Sequence, residues 1–249
     1  GVHSIDEAVA YWIGDAQLTG DAARGHLLYA LTESIGEKFG HQGTGQSKTN
    51  QALMQLFNQA KLLLNFPNAC SSGPDTYKRL REVVNNIVAK MTIPLVQNLI
   101  HYLQQNDRAR AKLYAQAFVP LVSACNPSTF EFLKSKLLDA SYLVTEIEEI
   151  VDKIQSVYPC LRLTCNDIGV YFEDSSIGSC QDQKETVRIG GFSTSTDVRS
   201  YANMDMDLLE MKILTEMGAF DAVDDIYRYG KHAIADGFAG EQTMSFFQF

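Results

Sequence analysis

The stretch His26-Leu27-Leu28-Tyr29-Ala30-Leu31-Thr32-Glu33-Ser34-Ile35-Gly36-Glu37-Lys38-Phe39-Gly40 decides the fold class. Its apolar residues Leu27, Leu28, Leu31 and Ile35 recur at the period of an amphipathic helix, not at the alternation of a strand. Gly40, a residue free to turn left-handed, marks the stop. The spacing predicts a helix from about 26 to 39.

The same period recurs on both sides of it. Upstream, Ser4-Ile5-Asp6-Glu7 reads as a capping box opening a helix with Ile5, Ala8, Val9 and Trp12 on one face. Gly14 and Thr19-Gly20-Asp21 end that helix. Downstream, Gly43-Thr44-Gly45-Gln46-Ser47 turns into a helix through Leu53, Leu56, Phe57, Ala60 and Leu64, closed by Pro67 and the Ser71-Ser72-Gly73-Pro74 loop. Asp75 then caps a helix carrying Leu80, Val83, Val84, Ile87 and Met91. Pro94 is expected to kink or split it, because proline removes a ladder bond and crowds the previous turn. Leu95, Leu99 and Leu103 continue its stripe. A further helix covers 109–124, with Pro120 bending its last turn.

Ser128-Thr129-Phe130-Glu131 is a second capping box, opening a run through Leu133, Leu137, Leu143, Ile147, Ile150 and Ile154 to Pro159. The period wanders near Ala140-Ser141, which leaves one long helix or two with a break. From Cys160 to Gln183 the character changes. Leu161-Arg162-Leu163-Thr164 alternates, Asn166-Asp167-Ile168-Gly169 is turn chemistry, and Val170-Tyr171-Phe172 can pair back. A short disulfide-pinned β-hairpin near residues 160–183 is the expectation. Ser193 to Thr196 then caps a helix with Leu208, Met211, Ile213 and Leu214, ending near Gly218, and a last helix spans about 220–235. The sum is a mainly α fold: a multi-helix bundle with one small hairpin, forming a single helical domain over 1–249 that could subdivide near 159–195.

The five cysteines bear on compartment. Cys160, Cys165 and Cys180 are spaced by five and fifteen residues, which matches neither zinc-finger nor thioredoxin patterns. A secreted protein with two disulfides is the simplest reading, with Cys70 joined to Cys125 and one bridge within the Cys160–Cys180 group. Five scattered cytosolic thiols are the alternative.

A net charge of −9 argues against nucleic acid as partner, since phosphate binding needs clustered Lys and Arg. Lys78-Arg79-Leu80-Arg81 and the 108–112 stretch are short and read as solvated helix faces. With 45% hydrophobic and 20% charged residues and no long apolar window, the chain is expected to be soluble, touching a membrane only through parts it lacks. It begins on Gly and ends on Met244-Ser245-Phe246-Phe247-Gln248-Phe249, an apolar segment suited to meeting other protein chains or docking on the core.

No P-loop, Gly-x-Ser-x-Gly, Gly-x-Gly-x-x-Gly or His-Glu-x-x-His motif occurs, so the chain is not expected to be an enzyme. One pattern carries other chemistry. Tyr29, Glu33 and Glu37 recur every four residues and His41 follows the cap, so phenolate, carboxylate and imidazole could converge on one side. Such donors suit ferric iron better than Cys or Met would. The same spacing is also that of an ordinary polar helix face. Tyr201 and Asp205 form a second pair at helical spacing, with Asp207 pointing elsewhere. His101, within an apolar stretch, reads as a core or interface histidine and not as a ligand.

Several segments taken in order resemble a known family. Ala8-Val9-Ala10-Tyr11-Trp12-Ile13-Gly14 with Gln17 is followed by His26 to Leu31, by Gly36-Glu37-Lys38-Phe39-Gly40, and by Lys48-Thr49-Asn50. Asp205-Met206-Asp207-Leu208 and Ile226-Tyr227-Arg228-Tyr229-Gly230-Lys231 come near the end. This order resembles the low-iron-inducible periplasmic, iron-assimilating proteins of algae, to which phytotransferrins are related. The resemblance runs from about Ser4 to Lys231. It implies a secreted, periplasmic or cell-surface algal protein that binds ferric iron for uptake, with carbonate as a synergistic anion. It transfers no ligand residue by residue, and phytotransferrins are larger, anchored and built of more than one unit. A non-catalytic interaction module of an extracellular or cell-wall assembly is the alternative function.

Overall fold

The computed structural model describes residues 2–43, 45–65, 74–139, 142–171, 180, 188–189, 192–193 and 204–231. The chain divides into two compact units, Gly1–Asp182 and Gln183–Phe249. In the first lie α1 (Val2–Ile13), α2 (Leu28–Lys38), α3 (Lys48–Leu64), α4 (Pro74–Gln104), α5 (Arg108–Val122), α6 (Pro127–Lys134), α7 (Ile147–Gln155) and the one-turn α8 (Cys165–Ile168). The second holds β1 (Arg188–Ile189), β2 (Phe192–Ser193), α9 (Met204–Glu216) and α10 (Phe220–Tyr229). The protein is mainly α.

α4 is the axis of the first unit, and α2, α3 and α5 pack along it. It runs through Pro94 as one helix, so the split expected there does not occur. A proline inside a helix costs about 3 kcal/mol. Ile93, Val96, Leu99, Ile100 and Leu103 around it are buried, and each such burial returns about 1.5–3 kcal/mol, so packing outweighs the lost ladder bond. Two apolar clusters flank the axis. Trp12, Tyr29, Leu53, Phe57, Ala60, Val83 and Ile87 join α1, α2, α3 and the first half of α4. The second half of α4 packs with Ile35 of α2 and Phe39 just after it, with α5, α6 and α7, and with Leu163, Ile168 and Tyr171.

Local chemistry moved two expected boundaries and decided a third feature that the sequence left open. α1 already begins at Val2, so Ser4 sits inside its first turn instead of capping it. α6 begins at Pro127 because Asn126 caps it, accepting the Thr129 amide at 3.0 Å; asparagine before a first-turn proline outranks Ser128 as a start signal. The wandering period ahead of Ala140-Ser141 is a real break. α6 gives way to a π turn at Ser135–Asp139, and a 3-10 turn at Val144–Glu146 leads into α7.

The hairpin expected near 160–183 is not formed by the described residues of that span. Leu161 and Leu163 bond back to Val157 and Tyr158 in turns that prolong α7. Thr164 and Asp167 then cap α8 reciprocally, the Thr164 hydroxyl accepting the Asp167 amide and the carboxylate accepting the Thr164 amide. Local side-chain bonds thus took the segment from the alternating pattern. Residues 172–179 and 181–183 lie outside the described part, and the short antiparallel pair β1–β2 comes later in the chain.

Two disulfides are present among the described residues. Cys125 joins Cys160 (Cα–Cα 5.7 Å) and Cys165 joins Cys180 (Cα–Cα 5.4 Å). The bridge within the Cys160–Cys180 group is as expected, whereas the Cys70–Cys125 pairing is corrected. Cys125 follows α5 directly and meets the turn after α7, where Cys160 stands. Cys70 lies outside the described residues.

Candidate functional site

The polar stripe of α2 is mostly buried. Tyr29 and Glu33 are each 3% exposed and His41 is 7% exposed, while Glu37 faces solvent. Tyr29 accepts the Gly20 amide at 3.2 Å and the Gln46 side-chain amide at 2.6 Å on its hydroxyl. The Glu33 carboxylate accepts the Ser47 amide on both oxygens, at 2.9 and 3.1 Å, and the Asn50 side-chain amide at 2.7 Å. It therefore sits at the N-terminus of α3, where unpaired amides and the helix dipole favour an anion.

Asn50 ties this network to the core. Its amide nitrogen also donates to the Tyr29 carbonyl at 3.0 Å, and its oxygen accepts the Trp12 indole proton at 2.9 Å. Of the four residues that spacing placed on one side, Tyr29, through its carbonyl, and Glu33, through its carboxylate, are tied by Asn50 to the start of α3, whereas Glu37 and His41 stand outside this network. The Tyr29 hydroxyl and the Glu33 carboxylate spend their lone pairs on the loops at Gly20 and Gln46 and on the start of α3.

His41 stands in a second polar cluster, formed where the segment from Cys165 to Tyr171 lies against α2 and α4. Its Nε2 is 2.7 Å from the Asn166 carbonyl, an acceptor only, so Nε2 carries the proton and donates. Nδ1 is then a bare lone pair, buried and without a hydrogen-bond partner among the described residues. Burial, and next the charges of Lys48 and Lys90, pull the imidazole below its ordinary range, against the Asn166 carbonyl and the Asp167 carboxylate that pull the other way. The imidazole is neutral at pH 7.

Three more links hold the same segment. Lys90 pairs with Asp167, Gln97 donates to the Ile168 carbonyl at 2.7 Å, and His101 Nδ1 meets the Tyr171 hydroxyl at 2.7 Å. His101 is buried, as a core histidine should be. Burial alone would raise the Asp167 carboxyl, but the Lys90 bond and charge and the Thr164 bonds outweigh it and hold it below the usual carboxylate range.

In the second unit, Asp205 is exposed and Tyr201 lies outside the described residues. Asp207, read as pointing elsewhere, is the buried carboxylate there. It accepts the Lys231 amide on both oxygens at 3.1 Å and so closes the end of α10. Among the described residues no three His, Cys, Asp or Glu side chains gather as a metal-binding group, and no helix is long and apolar enough to cross a membrane.

Sequence reasoning missed Asn50, Ser47 and the Lys90–Asp167 pair. Asn50 had a signal: it lies three and seven positions before Leu53 and Phe57, on the buried stripe of α3, where a polar residue needs a partner. Lys90–Asp167 had none, because its members are 77 positions apart.

The fold and these clusters define a disulfide-bonded, mainly helical protein. No family model, no curated protein and no solved structure matches the chain.

Proposed function

We propose that this chain is an extracellular or cell-surface protein that binds ferric iron and aids its uptake, without catalysing a reaction. The ordered segments that resemble the algal iron-assimilating proteins suggest the reading, and the two disulfides accord with an oxidising compartment. The observation that carries it is the posture of His41. Its ring is fixed by one nitrogen donating to a backbone carbonyl while the other keeps an unshared lone pair, the arrangement seen where an imidazole ligates a metal.

In this reading Tyr29 and Glu33 are scaffold beneath the site instead of ligands, since direct ligation would strip Ser47, Asn50 and Gln46 of their acceptors. Glu37, exposed on the same helix, supplies a hard oxygen donor. Lys48, whose charge acts on His41, is the cation to hold a carbonate beside the metal. Tyr201 and Asp205 remain candidates for a separate site in the second unit. The exposed apolar side chains of the second unit favour a second reading, a non-catalytic interaction module.

The test is retention of iron. The purified protein is mixed with ferric citrate and bicarbonate, gel-filtered, and assayed for iron per chain. The reading expects stoichiometric iron in the wild type and in Tyr29→Phe, and little in His41→Ala or Glu37→Gln. Iron kept by His41→Ala would discard the ligand, and an iron-free wild type would sink the reading.

A further inference from the structure

We propose that the outer face of the α9–α10 hairpin is a docking surface for a basic amphipathic helix of a partner protein, independently of iron. Leu209, Ile213 and Met217 recur every four residues along α9 and into the turn after it, so they lie along one side. They are 49%, 48% and 74% exposed, and Phe220, which opens α10, is 66% exposed. Met211 and Ile226 are buried instead. The two helices pack on each other, so the hairpin has spent its inner side and still shows exposed apolar side chains outside.

Charge selects the occupant. Asp205, Glu216, Asp221 and Asp225 are exposed on this hairpin and form no ion pair or hydrogen bond among the described residues. The cations of the two helices and the residues after them are mostly taken: among residues 204–231, Arg228 pairs with Asp224 and Lys231 with Glu210, and only Lys212 has no ion pair among the described residues. An apolar strip with unpaired carboxylates around it fits a helix bearing leucine-like residues on one face and lysines or arginines beside them. A second copy of this chain fits badly. It would bring the same carboxylates face to face within molecules that each carry −9. An anionic lipid surface is disfavoured for the same reason.

The experiment uses the full chain in the presence of a chelator and a fluorescent probe peptide of about 18 residues, five helical turns, built of Leu and Lys at helical period. A control peptide has Glu in place of Lys. The proposal expects saturable one-to-one binding of the Leu/Lys peptide by anisotropy and none of the control. Ile213→Ser/Met217→Ser, with unchanged circular dichroism, should weaken binding about tenfold or more, as loss of central apolar contacts does. Glu216→Lys/Asp221→Lys should weaken it too and flatten its salt dependence. Absence of binding, or equal binding by Ile213→Ser/Met217→Ser, would overturn the proposal. So would concentration-dependent dimers in light scattering that the same double variant abolishes, because the occupant would then be a second copy.

Discussion

Asn50 donates its side-chain amide to the buried Glu33 carboxylate across 2.7 Å, and that contact makes the polar face of α2 part of the core. Only an amide can serve at position 50. Its nitrogen satisfies a carboxylate and a carbonyl while its oxygen takes the Trp12 indole proton. Asn50→Asp places a second carboxylate against Glu33 and removes both donated bonds, so unfolding stability measured in urea should fall by about 3 kcal/mol or more. Asn50→Leu should cost less than Asn50→Asp, because it strands partners without adding a charge.

Tyr29→Phe isolates the other half of the network. The Gly20 amide and the Gln46 side chain each lose one acceptor while ring packing is kept. The expected loss is about 1–2 kcal/mol in the same urea titration, with iron retention unchanged. A Tyr29→Phe variant of full stability would show that the loop around Gly20 contributes nothing to holding α2.

Acid should weaken the metal-free protein in two separate windows. His41 binds its proton less readily when folded than its ordinary value near 6.5, so the unfolded chain takes up more protons as pH drops below that value. Stability is unaffected by His41 above about pH 6.5 and declines as pH falls below it. Asp167 is held low, so its contribution is present above the ordinary carboxylate value near 3.8 and fades as pH falls through the lower folded value. Urea midpoints measured from pH 8 to pH 4 should show the first decline in wild type and a flatter profile in His41→Phe. An identical slope in both proteins would mean that other groups carry the acid sensitivity.

The cysteine pairing gives a direct chemical check. Peptide mapping without reduction should return Cys125 linked to Cys160 and Cys165 linked to Cys180. The first bridge closes 35 residues, for which the chain-entropy model gives about 4 kcal/mol, and Cys125→Ser/Cys160→Ser should lose a comparable amount. The second closes 15 residues, worth about 3 kcal/mol on the same model.

What could be read from the sequence divides along contact range. Period and punctuation located α2, α3, α5 and the break ahead of residue 140, because each depends on neighbours within a turn or two. The same local view read Tyr29 and Glu33 as an outward polar face. They are inside because α3 starts against them: Asn50, 21 positions beyond Tyr29, bonds both residues, and Trp12 bonds Asn50 from 38 positions before it. The Cys125 partner was misread for the same reason: it depends on where α7 ends in space, and no spacing encodes that.

Gly169 gives the last prediction, since it is where the segment held by His41, Lys90 and Gln97 must turn. Its backbone, at φ +81° and ψ −172°, occupies a region open in practice to glycine alone. A methyl group added there would meet the Phe39 carbonyl oxygen at 2.1 Å and His41 Cδ2 at 2.7 Å, both belonging to the end of α2 and the residues after it. Neither the backbone oxygen nor the buried imidazole can swing aside as a flexible chain end would. Gly169→Ala should therefore cost about 3 kcal/mol or more, and amide exchange of residues 165–171 should quicken beyond that of α4. Gly45→Ala is the control. Its φ of +72° is also left-handed, yet nothing lies within 4 Å of the added atom, so only the conformational cost of about 1 kcal/mol should appear. Equal losses in the two variants would mean that the contact with Phe39 and His41 adds nothing, and that the segment is held by its polar links alone.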